Sequence, residues 1–116
     1  VKKYIKKYDF VFVHIKPTDI YGENGDCGGK RKFIEKIDKA LKALKDFKGL
    51  IVITADHSTP CSHKDHSADP VPVLIHGGNT KPDNVTKFGE KECRNGSLGV
   101  LFGKDLMKVV LEKARF

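Results

Sequence analysis

Two short apolar runs constrain this chain most. FVFVHI at Phe10–Ile15 and LIVIT at Leu50–Thr54 are nearly continuous and rich in β-branched and aromatic residues, the pattern of strands covered on both faces. Between them, CGGKRKFIEKIDKALKALKDFKG places Phe33, Ile34, Ile37, Ala40, Leu41 and Leu44 on one helical face, with Gly29 before it and Gly49 closing it. A strand, a helix and a strand at this spacing predict two parallel strands joined by a right-handed crossover. VPVLIH at Val71–His76 follows after about sixteen residues rich in polar groups and prolines. That interval is too short for a helical crossover, so this strand is expected to run antiparallel to its predecessor or to be reached by a folded-over loop. Val1, Tyr4, Ile5 and Tyr8 predict a short amphipathic helix at the start. KDLMKVVLEKARF predicts another at the end, with Leu106, Val110, Leu111 and Ala114 facing inward. GGNTKPDNVTKFGEKECRNGSLG reads as loop with one short helical turn.

With 116 residues the chain is expected to form a single domain, 1–116, with one modest core. A hydrophobic fraction of 39% is too high for a wholly disordered chain. The formal charge of +7 favours anionic partners, but the lysines are spread over predicted helix surfaces and no RNA-binding motif, zinc-finger spacing or basic helix-turn-helix accompanies them. A solvated basic surface is therefore expected rather than a nucleic-acid interface. Cys27, Cys61 and Cys93 are few, odd in number and far apart, which argues against a disulfide framework and for a reducing compartment. No segment reaches the ~18 apolar residues of a membrane span and no signal-peptide core is visible, so a cytoplasmic protein without a membrane partner is expected. The sequence opens at Val1, without methionine and inside a predicted helix, which leads to the expectation of further residues upstream.

The candidate chemistry lies in TADHSTPCSHKDHSADPVPV, Thr54–Val73, which holds three of the five histidines. Asp56 and His57 follow the second apolar run, Asp19 and Glu23 follow the first in TDIYGENGD, and His66 and Asp69 lead into the third. If the first two runs are parallel strands, these loops leave the carboxyl edge of the sheet, where ligands bind in open α/β folds. Mixed carboxylate and imidazole donors suit Mn, Zn or Fe better than an all-oxygen cage for Ca or Mg. Two ions roughly 4 Å apart could hold a phosphoryl group and stabilise its attacking and leaving oxygens. The competing readings are plain: acidic residues in Gly/Asn loops commonly make turns, His63 is expected at the surface, His14 in the core or at a sheet edge, and His76 at a strand end. CSHKDH could imitate a zinc knuckle but lacks a partner CxxC. Ser58, Thr59, Ser62, Ser67 and Ser97 show no G-x-S-x-G elbow and no activating partner, so no catalytic nucleophile is assigned.

Taken together, FVFVHIKPTDIYGENGD, TADHSTPCSHKDHSADPVPVLIHGG and NGSLGVLFGKDLMKVVLE resemble the C-terminal portion of the archaeal-type cofactor-independent phosphoglycerate mutases of the alkaline-phosphatase-like metalloenzyme superfamily. The resemblance implies an α/β fold, a partial three-layer sandwich with a mainly parallel sheet flanked by helices. It also implies interconversion of 3-phosphoglycerate and 2-phosphoglycerate through a phosphoserine with two divalent ions, Mn foremost and Zn, Co or Mg as alternatives. Asp56 and His57 would bind one ion, Asp19 and His66 the other. The family pattern TDxxGHxGD has histidine where this chain has Glu23, a ligand of different charge and reach. The phosphoryl-accepting serine of the family belongs to its N-terminal portion. The chain is thus expected to be a fragment or truncated homologue that is inactive alone, pairing with an N-terminal portion or with itself as a homodimer. The alternatives are a subunit of another phosphotransferase or phosphatase, or a non-catalytic metal-binding or interaction domain.

Overall fold

The computed structural model describes residues 1–114. Its elements run α1 (Lys2–Ile5), α2 (Pro17–Glu23), α3 (Cys27–Leu41), a 3₁₀ turn (Lys42–Leu44), β1 (Ile51–Ile53), β2 (Leu74–His76), α4 (Glu90–Cys93) and α5 (Gly103–Ala114). They group into two units, Val1–Phe47 with Thr59–Ser67, and Lys48–Ser58 with Ala68–Phe116.

The expected three-layer sandwich with a mainly parallel sheet is overturned. Among the described residues the sheet has two strands, β1 and β2, and they pair antiparallel with Ile51 opposite His76, Val52 opposite Ile75 and Ile53 opposite Leu74. The second run forms a strand at Ile51–Ile53 and the third only at its end, Leu74–His76, and of the two readings of the short connection the antiparallel one is found. The first run does not. Phe10–Ile15 belongs to no strand, and Phe10, Phe12 and Val13 are exposed. An apolar run becomes a strand only when a neighbour takes up its backbone N–H and C=O groups, and no described segment pairs with this one. Without it there is no parallel pair and no crossover among the described residues.

The first unit is built on α2 and α3. Pro17 opens α2, where its missing N–H costs no helical bond. Asn24 closes the helix, and Gly25 follows at φ +69°, the left-handed conformation that glycine adopts without penalty. Asp26 then caps α3, its Oδ1 accepting from the Gly29 N–H at 2.8 Å. Of the predicted helical face, Phe33, Ile37, Leu41 and Leu44 are half-buried while Ile34 and Ala40 are exposed, so the covered stripe is narrower than the sequence suggests. Phe33 meets Tyr21 of α2 with ring centroids 5.9 Å apart. The close approach in this unit is at Gly22, which is buried: a Cβ there would stand 2.3 Å from the Thr59 carbonyl oxygen.

In the second unit, Gly77 and Gly78 turn the chain after β2 with φ of +94° and +55°. A Cβ on Gly77 would stand 2.3 Å from the Gly49 carbonyl oxygen. The Lys113 carbonyl near the end of α5 accepts from the Asn79 N–H at 3.0 Å. Leu106, Val109, Val110, Lys113 and Ala114 mark the covered face of α5. Val110, 7% exposed, is the sole buried hydrophobic side chain among the described residues, and Leu111 is exposed. The last two residues of the predicted terminal helix, Arg115 and Phe116, lie outside the described residues. The long segment between β2 and α5 is gathered by Asp83. Its Oδ1 accepts from the Val85 N–H at 2.9 Å and its Oδ2 from the Ser97 N–H at 2.8 Å. These backbone donors, Ser97 foremost, hold the Asp83 carboxyl below its ordinary value against a smaller opposing effect of desolvation.

Two outcomes are expected. Gly22→Ala gains up to about 1 kcal/mol of helix propensity but drives a methyl into a backbone oxygen, an overpacking cost of about 1–3 kcal/mol. The clash wins, and the urea midpoint falls. Gly28→Ala is the control, because its Cβ would meet nothing nearer than Asp26 Oδ1 at 3.7 Å; its midpoint holds or rises, and equal effects at the two positions would refute the packing argument. For Asp83 the depressed pKa makes the linkage one of acid loss: its contribution is fully present above the unfolded value of about 3.9 and disappears as pH falls through the lower folded value. The Val85 and Ser97 amide shifts should titrate together with a midpoint below about 3.9, and Asp83→Asn should abolish that step.

Candidate metal centre

Asp19 lies in the first turn of α2, which sets its carboxylate on the helix side that receives the Thr59–Ser67 segment. Its side chain is 11% exposed. Oδ1 accepts the Thr59 hydroxyl at 2.6 Å, and Oδ2 meets the Lys16 ammonium. Thr59, at 4% exposure, is the most buried polar residue of the described chain, and its carbonyl accepts from Lys30 Nζ of α3 at 2.6 Å. The Thr59 hydroxyl thus fixes one carboxylate oxygen while its carbonyl sits over Gly22 and is tied to α3.

His66 completes the cluster in this unit. Its Nε2 stands 3.6 Å from Asp19 Oδ1, so carboxylate oxygen and imidazole nitrogen face each other across a gap that an ion bound to both at about 2.0–2.2 Å could fill after a small adjustment. The peptide N–H of His66 donates to Asp65 Oδ1 at 2.7 Å. An Asp and a His with ligand atoms this close form a cluster capable of coordinating a divalent ion.

The other candidates fall as follows. Glu23 is one helical turn beyond Asp19 on α2 and exposed; it stands outside the Asp19–His66 cluster. Both acids therefore sit on a helix, not in the loop expected from their Gly/Asn surroundings. Asp56 and His57 belong to the second unit. His57 Nε2 is 3.6 Å from Asp56 Oδ2, with Asp56 well exposed and His57 partly covered, so the two neighbouring side chains turn toward each other. His14 is exposed instead of lying in a core, and His63 is exposed as expected. Thr59 and Lys30 were not singled out by sequence as parts of a metal site. Among the hydroxyls for which sequence offers no partner, Thr59 has one in the structure, Asp19, which accepts its hydrogen bond. The sole sequence signal was its place between Asp56–His57 and His66; Lys30 offered none within a lysine-rich helix.

Comparison with known proteins follows the geometry closely. Residues 1–113 match the Metalloenzyme superfamily. The chain is 51% identical over 105 residues to the 2,3-bisphosphoglycerate-independent phosphoglycerate mutase of Methanoculleus marisnigri, covering 90% of this chain and 26% of that protein. It is 45% identical over 112 residues to the 2,3-bisphosphoglycerate-independent phosphoglycerate mutase of Thermococcus gammatolerans, covering 93% of this chain and 27% of that protein. A solved structure, "Structure of PH0037 protein from Pyrococcus horikoshii", superposes on 97% of this chain with a TM-score of 0.92 and 40% identity, and this chain covers 35% of that one. The chain thus spans about a quarter of the length of the phosphoglycerate mutases it resembles. A match over nearly every residue, with an Asp–His cluster in the folded chain, leads to one conclusion: this chain belongs to the Metalloenzyme superfamily.

Proposed function

We propose that the chain is a metal-binding portion of a phosphoglycerate mutase that interconverts 3-phosphoglycerate and 2-phosphoglycerate. The observation that carries the proposal is the Asp19–Thr59–His66 arrangement, in which a largely covered carboxylate is oriented by a buried hydroxyl and faces an imidazole at 3.6 Å. A cluster of this kind has more order than a solvated turn needs. The similarity to phosphoglycerate mutases supplies the reaction class.

In this reading Asp19 and His66 hold one divalent ion, with Glu23 as a further ligand one turn along α2, and Asp56 with His57 hold another. Manganese is the proposed ion, since mixed oxygen and nitrogen donors suit it, with Zn, Co or Mg as substitutes. Bound divalent ions would supply Lewis-acid stabilisation of a transferring phosphoryl group. This chain's own residues do the positioning. Thr59 fixes the Asp19 carboxylate through its hydroxyl, and Lys30 anchors Thr59 through its carbonyl. Lys16 balances the Asp19 charge before an ion does. No residue here is assigned as the phosphoryl acceptor, so turnover is proposed to need a complementary polypeptide portion, or a second copy, together with the phosphorylated three-carbon acid. No described helix is long and apolar enough to cross a membrane, and the three free cysteines suit the reducing cytoplasm proposed as its compartment.

Titration calorimetry with Mn tests the cluster. Asp19→Ala and His66→Ala should each weaken Mn binding at least tenfold, and Thr59→Val, which removes only the orienting hydroxyl, should weaken it about 10–100-fold. Wild-type affinity in the Asp19 and His66 variants would refute the assignment. A coupled assay for conversion of 3-phosphoglycerate in Mn tests the incompleteness: no turnover is expected from these residues alone, and mutase-level turnover would show that the acceptor is already among them.

A further inference from the structure

Cys27 and Cys61 are 34 positions apart in the sequence yet belong to one unit. Cys27 is the first residue of α3, and Cys61 lies in the Thr59–Ser67 segment. The packing between these stretches is close. A Cβ on Gly25, two residues before Cys27, would stand 3.4 Å from the Cys61 carbonyl oxygen and 2.6 Å from Lys64 Cε. The Cys27 thiol is pushed above its ordinary value, first by hydrogen bonding from the Cys61 thiol and then by desolvation, in keeping with the close packing at Gly25. Both thiols are free, with Cys27 exposed and Cys61 half-buried. Cys27 is exposed at the start of α3, which leaves it accessible to a small oxidant. Cys93, on α4, belongs to the other unit.

We propose that Cys27 and Cys61 are a modification site, a dithiol that a hydroperoxide closes to an intrachain disulfide. One sulfur, as thiolate, attacks the O–O bond and becomes a sulfenic acid as the first water leaves. The second sulfur then displaces the sulfenic hydroxyl as the second water. Two thiols and one hydrogen peroxide give one disulfide and two waters, and the peroxide takes both electrons. The bond staples the start of α3 to the segment that carries Thr59 and His66. It would hold this segment to the helix whose Lys30 already binds the Thr59 carbonyl.

The test treats the whole chain with hydrogen peroxide, blocks residual thiols with N-ethylmaleimide, and maps unreduced tryptic peptides by mass spectrometry. In the native protein the Cys27–Cys61 pair should exceed either pairing with Cys93 at least tenfold and should vanish on reduction with dithiothreitol. Cys93 should carry the maleimide. In Cys61→Ser, Cys27 should be trapped by dimedone as the sulfenic acid instead. The same treatment in urea should erase the preference. If native and urea-unfolded chains give the same distribution of pairs, or if Cys27 and Cys61 are both alkylated after peroxide while Cys93 is consumed, the proposal is overturned.

Discussion

Everything at the candidate centre depends on one close approach, the Thr59 carbonyl seated against Gly22 of α2. Only a residue without a side chain lets a backbone oxygen come that near a helix. Once there, Thr59 is buried and its polar atoms need partners, since a buried unsatisfied group costs about 1–3 kcal/mol. The carbonyl accepts from Lys30 of α3, and the hydroxyl donates a hydrogen bond to Asp19 on α2. Among the described residues no covered side-chain polar atom is left without a partner. The packing requirement and the ligand geometry are thus a single arrangement: the residue that fills the space over Gly22 is the residue that aims Asp19.

The charges around Asp19 follow from the same arrangement. Lys16 is three residues earlier, next to the start of α2, and its ammonium meets Oδ2, while Oδ1 takes the Thr59 hydroxyl and faces His66. The Lys16 side chain is 56% exposed, so its pairing is screened by solvent and contributes little to stability. It still occupies an oxygen. A divalent ion of twice its charge would replace that partner without leaving the carboxylate uncompensated, because the exposed ammonium can return to water. In a chain with a formal charge of +7, two of the lysines belong to the candidate site itself, Lys16 through its contact with Asp19 and Lys30 through its contact with Thr59.

How much of this was legible in the sequence depends on what kind of information each residue carries. Strands within Leu50–Thr54 and Val71–His76 were readable, though they form only at Ile51–Ile53 and Leu74–His76, and the short connection left the antiparallel pairing as one of two readings, a folded-over loop being the other. The helix was readable from its period, but it runs Cys27–Leu41, starting ahead of Gly29, where Asp26 caps it, and stopping short of Gly49. Phe10–Ile15 was not readable correctly. An apolar run states a preference for burial, and the partner that would make it a strand is a fact about another segment. Asp19 and His66 were visible as residue types suited to metal. The grip of Thr59 on Asp19 was invisible, because it spans forty positions and uses a residue whose composition signal is that of any loop threonine.

TDIYGENGD shows how a short motif can be mostly architecture. Asp19 is the ligand candidate of the stretch, but Gly22 is there for the Thr59 oxygen, Gly25 for the left-handed turn at φ +69°, and Asp26 for the cap on α3. Those three positions decide where α2 ends, how sharply the chain turns and where α3 begins, and so they decide where Lys30 stands to reach Thr59. Glu23 differs from them in kind. It is four residues from Asp19 on the same helix, so their Cβ atoms are about 5–6 Å apart, and its exposure leaves the side chain free to choose a direction. A glutamate is longer than an aspartate by one methylene, and that extra reach is what an ion held by Asp19 would require of a ligand one turn away. The motif therefore separates into a frame, set by Gly22, Gly25 and Asp26, and an exposed arm at Glu23.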